Sequence, residues 1–464
     1  MLTRPGEKKT KKYYKVSLRA RSVAEGEAIS RRDSSLIIVG GPVAQNDKSN
    51  HMKIILFEDN QVKNLYPITL TRPSFDILCG GVTLFELVQK AFNDSKIGFI
   101  VRDYLQSFAE QKYKGSQVAD DKILFLNASL VPSFEVIEKL VKKLIGKNQL
   151  FKNKNQLVGA YLDLKELDLT AAKVGKLKQN EVESFLLRLK LKTSEISLPI
   201  FNYHWQVVTY NEETLGSNLN YLKDDYIEKQ SGVFVGKNVS LPKEIVFDSS
   251  HGPIIIGSGT AILPFCHLVG PLYVGKNCLI REFTVLKYSC CLGDSCKVAG
   301  EIEASVMQGF TNKNHHGFLG YSYLGQWVNL GAGTTVSNLK NNYSSVKMAG
   351  VDTGFQFLGS VIGDYSRTAI NSTIYTGKII GVNCHLYGTI TADVPSFTHY
   401  AKDFKCVVEF GLPKAVELQR IVFARREKKQ NKYDIELLKK VFELTTPDRK
   451  KVKIKPGKIF FYER

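Results

Sequence analysis

Apolar residues in the second half of this chain recur every six positions. Starting at Ile256, the step lands on Ile262, Leu268, Val274, Ile280, Leu286, Leu292 and Val298 without a miss. Glycine follows every third of these, at Gly257, Gly275 and Gly293, so three steps make one larger repeat. A helix of period 3.6 and an isolated strand of period two both leave other patterns. A parallel β-helix fits: each step is one short strand and a turn, and three steps close a triangular coil. Stacked coils lie about 4.8 Å apart, the spacing of strands in a sheet, and equivalent aliphatics pile into an internal ladder.

A small residue stands four places after most ladder positions, at Thr260, Cys266, Cys278, Thr284, Cys290 and Cys296, with Leu272 and Ile302 as exceptions. Near a coil corner only a small side chain fits. This gives those cysteines, and Cys384 later, a packing role, and it makes the vicinal Cys290 and Cys291 a matter of register. With no CxxC pair among eight cysteines, the thiols are expected to be reduced and the compartment cytoplasmic. The register breaks near Val298 to Gly300. It resumes at Leu324, Leu330 and Val336, and again at Ile362, Ile374, Ile380 and Leu386. Residues 301–323 and 338–357 are therefore expected as insertions or loops, where repeat proteins often carry function.

The first half alternates strand-like and helix-like segments. Strands are expected at Ile54 to Phe57, Ile97 to Val101, Ile123 to Leu126 and Leu157 to Tyr161. A helix should begin after Thr83, with Thr83 and Glu86 as a capping box, and another should run from Ser133 to Ile145. That alternation reads as an α/β sheet with ligand loops at the strand ends. Two amphipathic basic helices, about Lys414 to Lys429 and Tyr433 to Phe442, should close the open edge of the β-helix, with membrane binding as a weaker alternative. The division expected is a basic tail over 1–51, an α/β domain over 52–230, a β-helix over 231–398 and a helical segment over 399–464.

Candidate chemistry concentrates in residues 308–343, rich in Gly and Asn, where His315 and His316 sit side by side just outside the ladder. Imidazole titrates near neutral pH, so either histidine could serve as a general base. His267 and His385 fall at positions read as turns, with structural roles.

The hexapeptide pattern resembles the left-handed β-helix of hexapeptide acyltransferases. The run Asn-Lys-Asn-His-His-Gly-Phe-Leu-Gly, with Val-Asn-Leu-Gly-Ala-Gly-Thr after it, resembles the acetyltransferase half of GlmU-like proteins. The resemblance implies acetyl-CoA as co-substrate, an amino-sugar phosphate acceptor, and a homotrimer with sites between neighbouring subunits. It places the catalytic base at His315 and an orienting amide at Asn338, and it makes Lys287, Lys313 and Arg281 candidates for the sugar phosphate. The family's tyrosine three residues after the histidine is Phe318 here. In the first half, Asn-Leu-Tyr-Pro-Ile-Thr-Leu-Thr-Arg-Pro with the later Gly-Gly-Val-Thr-Leu resembles the opening of a GlmU-like nucleotidyltransferase domain. That resemblance implies UTP as a substrate, Arg72 on its phosphates, and backbone amides near Gly80 and Gly81 beside it. The Gly-rich loop ending in Gly-Thr-Arg is absent, as is the Pro-Lys after it. Asn127-Ala128-Ser129 stands where the family has a metal-binding Asp. Mg2+ would need carboxylates, for which Asp59 and Asp120 or Asp121 are the candidates.

Net charge is +19. Lys and Arg gather in the tail and beyond residue 401, with no nucleic-acid-binding signature, so no nucleic-acid partner is expected. An anionic phosphosugar or CoA would also be drawn by a positive field. The apolar runs are too short for a membrane span, which takes about 20 residues. Two other readings stay open: a nucleotidyltransferase of another sugar with a structural β-helix, and a non-catalytic oligomeric scaffold.

Overall fold

The computed structural model describes residues 52–92, 96–115, 121–144 and 146–459. The expected basic tail, the end of the helix at Ile145 and Asp120 lie outside them.

The α/β domain is built on a six-stranded mixed sheet. Its strands are β1 (Met52–Phe57), β2 (Lys96–Ile100), β3 (Lys122–Asn127), β4 (Gln149–Asn153), β5 (Gln156–Asp163) and β6 (Lys192–Glu195). Their order is β2-β1-β3-β5-β4-β6, with β1 parallel to β2 and β3, and β5 antiparallel to β3 and β4. Strands β1 and β3 are apolar on both faces and buried throughout after their first residue, as strands covered on two sides must be. The helices are α1 (Leu84–Ala91), α2 (Asp103–Tyr113), α3 (Phe134–Leu144), α4 (Ala171–Gly175), α5 (Gln179–Arg188) and α6 (Gln206–Leu222). Thr83 caps α1 as expected: its Oγ1 accepts from Glu86 N, and Glu86 accepts from Thr83 N.

From Val233 onward the chain winds into a left-handed parallel β-helix with three faces. The first face is a ladder of strands from Val233–Val235 to Ile379–Ile380, the second runs from Ala261–Ile262 to Thr398–Ala401, and the third from Ile245–Asp248 to Thr389–Ile390. All eight aliphatics of the six-residue series are buried. Each full burial of this size contributes about 1.5–3 kcal/mol, so the ladder is the main stabilising feature of this half. Cys266, Cys278, Cys290, Cys296 and Cys384 are buried free thiols that donate to coil carbonyls, such as Cys278 Sγ to Gly293 O at 3.3 Å.

Residues 301–323 differ from the expectation. They are no insertion but a continuation of the coil, with Ile302, Met307, Lys313, Leu319 and Leu324 stacked on the preceding ladder residues. Shorter steps and a lysine in the ladder hide that coil from a strict six-residue search. Residues 338–357 do form an inserted loop, which carries the antiparallel pair Lys347–Met348 and Val351–Asp352. His267 and His385 lie within strands rather than at turns.

The α/β domain docks on the first face. Cys291, Val306, Tyr323 and Val361 point outward from that face into one apolar cluster with Val62, Ile68, Trp205 and Val208, and the inserted loop adds Val346 and Met348. The C-terminal helices are α7 (Leu412–Ala424), α8 (Lys432–Leu444) and α9 (Thr446–Lys451). Helix α7 stops sooner than expected because Glu427 takes a left-handed φ of 56° and Lys428 N bonds back to Phe423 O, a helix-ending turn. Phe423 anchors α7 on Trp327 and Tyr365 at the corner between the first and second faces. Phe442 packs on Phe397 at the end of the coil.

Candidate functional site

His315 and His316 occupy the turn that joins the second face to the third, between strands Asn312–Lys313 and Phe318–Gly320. Both are exposed. The turn is tightly stacked. A Cβ on Gly317, whose φ is +124°, would meet Thr334 O at 2.2 Å, so only glycine closes it. Gly333 N donates to His316 O at 3.1 Å, which lays the Gly331–Ala332–Gly333 turn directly against the histidines.

Lys313 holds this turn from inside. Its side chain takes a ladder position and is 2% exposed. Its Nζ donates to Ala299 O at 2.8 Å, His315 O at 3.1 Å and Gly317 O at 2.8 Å. Burial pushes the amine down to about 8. The role expected of Lys313 at a sugar phosphate is thus corrected: its three donors are spent on carbonyls, two in the histidine turn and one on the coil before it.

Beside the turn lies a cavity of about 410 Å³, roofed by the end of α7. His315, Asn314 and Trp327 line it, with Asn312 and Asn329 on its floor. Asn314 Oδ1 is buried without a hydrogen-bond partner, an acceptor left for a ligand N–H. Lys297, Arg367, Arg425 and Arg426 make the rest of the polar wall.

The other expected site residues scatter. Asn338 follows the third face and heads the inserted loop, at a different corner from His315, and its amide lies against Gly320. One chain does not bring the two together. Lys287 is held by Glu301 at 2.9 Å and Glu303 at 2.7 Å, so its charge is already met. Arg281 pairs with its neighbour Glu282 at 3.0 Å and stays partly exposed.

Arg72 is corrected too. It is buried and bonds Asp76 and Asp364, the latter on the β-helix. It ties two domains and has no face left for a nucleotide. Gly80 and Gly81 are similarly spent. Gly80 N donates to Asn211 Oδ1 at 2.9 Å, and a Cβ there would meet Asn218 Nδ2 at 2.5 Å. A Cβ on Gly81 would press on the Tyr273 ring.

At the ends of β1 and β3, Asp59 Oδ2 accepts from Asn127 Nδ2 at 2.9 Å and from Gln156 Nε2 at 2.7 Å, and Oδ1 accepts from Gln61 N at 2.9 Å. Asp121 pairs with Lys165. Among the described residues no three metal-ligating side chains converge. This donor set does not fit Mg2+, whose carboxylates would have to be free. A cavity of about 610 Å³ opens next to Asp59, lined by amides of Gln61, Asn153, Gln156 and Asn202 and by Tyr210.

Residues 54–226 match the family described as sugar nucleotidyl transferase. A bifunctional sugar-1-phosphate nucleotidylyltransferase/acetyltransferase of Sulfurisphaera tokodaii is 32% identical over 39% of this chain and 43% of its own length. A bifunctional protein GlmU of Cyanothece is 32% identical over 35% of this chain and 28% of its own, and that of Nostoc is 31% identical over 38% and 32%. Over rather more than a third of its length the chain is similar to GlmU proteins. It spans less than half the length of the curated relatives it matches. Among solved structures, a UDP-N-acetylglucosamine acyltransferase of Francisella novicida covers 47% of this chain and 87% of its own at 15% identity, with a TM-score of 0.24, a likeness too slight to bear on function.

Sequence reading missed Lys297, Asn314, Arg367, Arg425 and Arg426. Lys297 and Arg367 each stand one place before a ladder residue, Val298 and Thr368. Taking the outward row of the second face as a unit would have found them. Arg425 and Arg426 reach the cavity only because α7 folds back, which no local pattern announces.

Proposed function

We propose that this GlmU-like protein is a transferase of nucleotide-sugar biosynthesis that moves the acetyl group of acetyl-CoA to the amine of an amino-sugar phosphate at the His315 turn. The observation that carries the reading is His315 at the mouth of a polar cavity, on a turn braced by Lys313. The amine lone pair attacks the thioester carbonyl and a C–N bond forms. His315 takes the amine proton. The C–S bond then breaks, and the thiolate leaves as CoASH once that proton is returned. Asn314 Oδ1 offers the acceptor that would aim the amine.

Asn338 stands at another corner, so a neighbouring copy in a homotrimer would bring its own Asn338 to this His315. Exposed Phe265, Phe283 and Ile370 line the same corner as His315, an apolar edge suited to such a contact. No described helix is long and apolar enough to cross a membrane, in keeping with work in the cytoplasm.

The test is free-thiol release from acetyl-CoA with glucosamine-1-phosphate, comparing wild type with His315→Ala. Thiol release by wild type that the variant lacks supports the reading, and no release by wild type overturns it. A second reading, nucleotidyl transfer from UTP to the sugar-1-phosphate in the α/β domain, is favoured by the family match over 54–226. Pyrophosphate release that depends on both UTP and sugar-1-phosphate tests it.

A further inference from the structure

The last coil of the β-helix ends in a hairpin. Strands Thr398–Ala401 and Cys406–Glu409 pair antiparallel, with Lys402, Asp403, Phe404 and Lys405 in the connection. The chain returns to this hairpin after α9. Glu409 N donates to Lys455 O at 2.9 Å, Glu409 bridges Pro456 in parallel, and a Cβ on Gly457 would meet Val408 Cγ1 at 2.9 Å. The segment that carries Lys453, Lys455 and Lys458 therefore lies along the strand that follows Lys402 and Lys405. The two stretches form one edge at the closed end of the coil.

That edge is cationic. Lys402, Lys405, Lys450, Lys451, Lys453, Lys455 and Lys458 are all exposed. The ion pairs at this end are Arg449 with Glu409 at 2.7 Å and Lys440 with Glu443 at 3.5 Å, so none of the seven lysines has a carboxylate partner among the described residues. Asp403 and Asp448 stand on the same stretches, and Asp403 spends one oxygen on Thr389 N at 2.7 Å. Two apolar side chains project among the lysines, Phe404 at 49% exposure and Val452 at 56%. Phe423, Leu437, Leu438 and Val441 of α7 and α8 are by contrast buried.

Like charges held on one edge repel, and an anionic surface relieves that repulsion across its width. Ammonium groups are compact, hydrated point charges suited to a diffuse layer of lipid phosphates, whereas bidentate reading of one phosphate or base edge takes arginine. The arginine of this edge, Arg449, is buried on Glu409. Single-strand binding stacks successive bases on several rings in a groove. Here one ring and one aliphatic side chain project from an edge, the form of groups that dip into a headgroup layer.

We propose that this edge is a docking surface for an anionic phospholipid bilayer, with the lysines at the headgroups and Phe404 and Val452 dipping between them. Docking there is independent of the chemistry assigned to the His315 turn.

The experiment is co-sedimentation of the full chain with vesicles of phosphatidylcholine alone, or of phosphatidylcholine and phosphatidylglycerol in equal parts. Wild type is compared with Lys402→Gln/Lys405→Gln/Lys453→Gln/Lys455→Gln and with a control that loses the same charge near the first coils, Lys229→Gln/Lys237→Gln/Lys243→Gln/Lys276→Gln. All eight lysines are exposed, so both variants keep the fold. Wild type should bind the anionic vesicles, leave the neutral ones, and release with rising salt. A lysine near an anionic surface strengthens binding about fivefold, so the hairpin variant should weaken at least about tenfold and the control about twofold or less. Trp205 and Trp327 are buried, so Phe404→Trp adds an exposed reporter, whose emission should move to shorter wavelength on the anionic vesicles. No binding of wild type to those vesicles, equal weakening of the two lysine variants, or an unmoved emission overturns the docking surface. Preference of wild type for a DNA duplex over the vesicles assigns the edge to nucleic acid and overturns it also.

Discussion

Arg72 and Asp364 are joined by a buried ion pair although 292 residues separate them in the chain. Thr71 Oγ1 adds a second donor to the same carboxylate at 2.7 Å, and Gln326 N bonds its other oxygen at 2.9 Å. The Arg72 carbonyl in turn accepts from Arg102, which grips Glu58 at the end of β1. A continuous set of charges thus runs from the α/β sheet to the coil of the β-helix.

Replacing Arg72 with Ala should destabilise the protein by about 3–5 kcal/mol, since Asp364 would stay buried without its cation, while Asp76 keeps Lys112 at 2.9 Å. Asp364→Ala should cost a similar amount. The two changes together should cost less than their sum, because the double variant leaves less charge stranded. Chemical unfolding of the four proteins checks this, and strict additivity would deny the coupling.

Lys313→Met keeps an apolar ladder residue of similar length but removes the three bonds to Ala299, His315 and Gly317. The fold should survive, and acetyl transfer should fall on the order of tenfold or more through loss of the His315 geometry. Stability should respond to pH in a definite direction. The folded Lys313 amine titrates near 8, below its ordinary value of 10.5. Between those values the unfolded chain binds more protons, so this group adds stability as pH rises from about 8 to 10. Below 8 both states are protonated and its contribution is flat. Unfolding wild type and Lys313→Met at pH 7 and pH 9.5 should show a relative gain for wild type at the higher pH.

Asp59 is closed by two side-chain amides and a backbone N–H, so millimolar Mg2+ should leave the melting temperature unchanged in the absence of nucleotide. A bound ion at 100 times its Kd would add about 2.7 kcal/mol, a rise that thermal scanning reads easily.

The eight cysteines should divide seven to one. Seven are buried and only Cys406 is partly exposed, and burial lifts thiols such as Cys290 and Cys384 to about 12. A thiol-specific reagent should modify about one thiol per native chain and all eight after denaturation.

Much of this fold was legible because the ladder repeats strictly where it is strongest, from Ile256 to Val298, and because β1 and β3 carry the apolar runs Ile54 to Phe57 and Ile123 to Leu126. The coil over 301–323 was hidden by Lys313, a polar residue in an apolar series whose charge is met only by carbonyls three-dimensionally adjacent. Arg72 sat in a phosphate-like motif, yet its partner Asp364 lies in another domain. Long-range pairing of that kind leaves no periodicity. His315 was found from its neighbours in sequence, whereas the cations around it come from three separate stretches of chain.

The most direct test of the central claim is mass-spectrometric detection of N-acetylated sugar phosphate from acetyl-CoA and glucosamine-1-phosphate. It should be run with wild type, His315→Ala and His316→Ala. Wild type and His316→Ala should both form the product, and His315→Ala should lose at least about 100-fold, the contribution of a positioned base. Equal product from all three proteins, or none from wild type, would contradict the assignment of acyl transfer to the His315 turn.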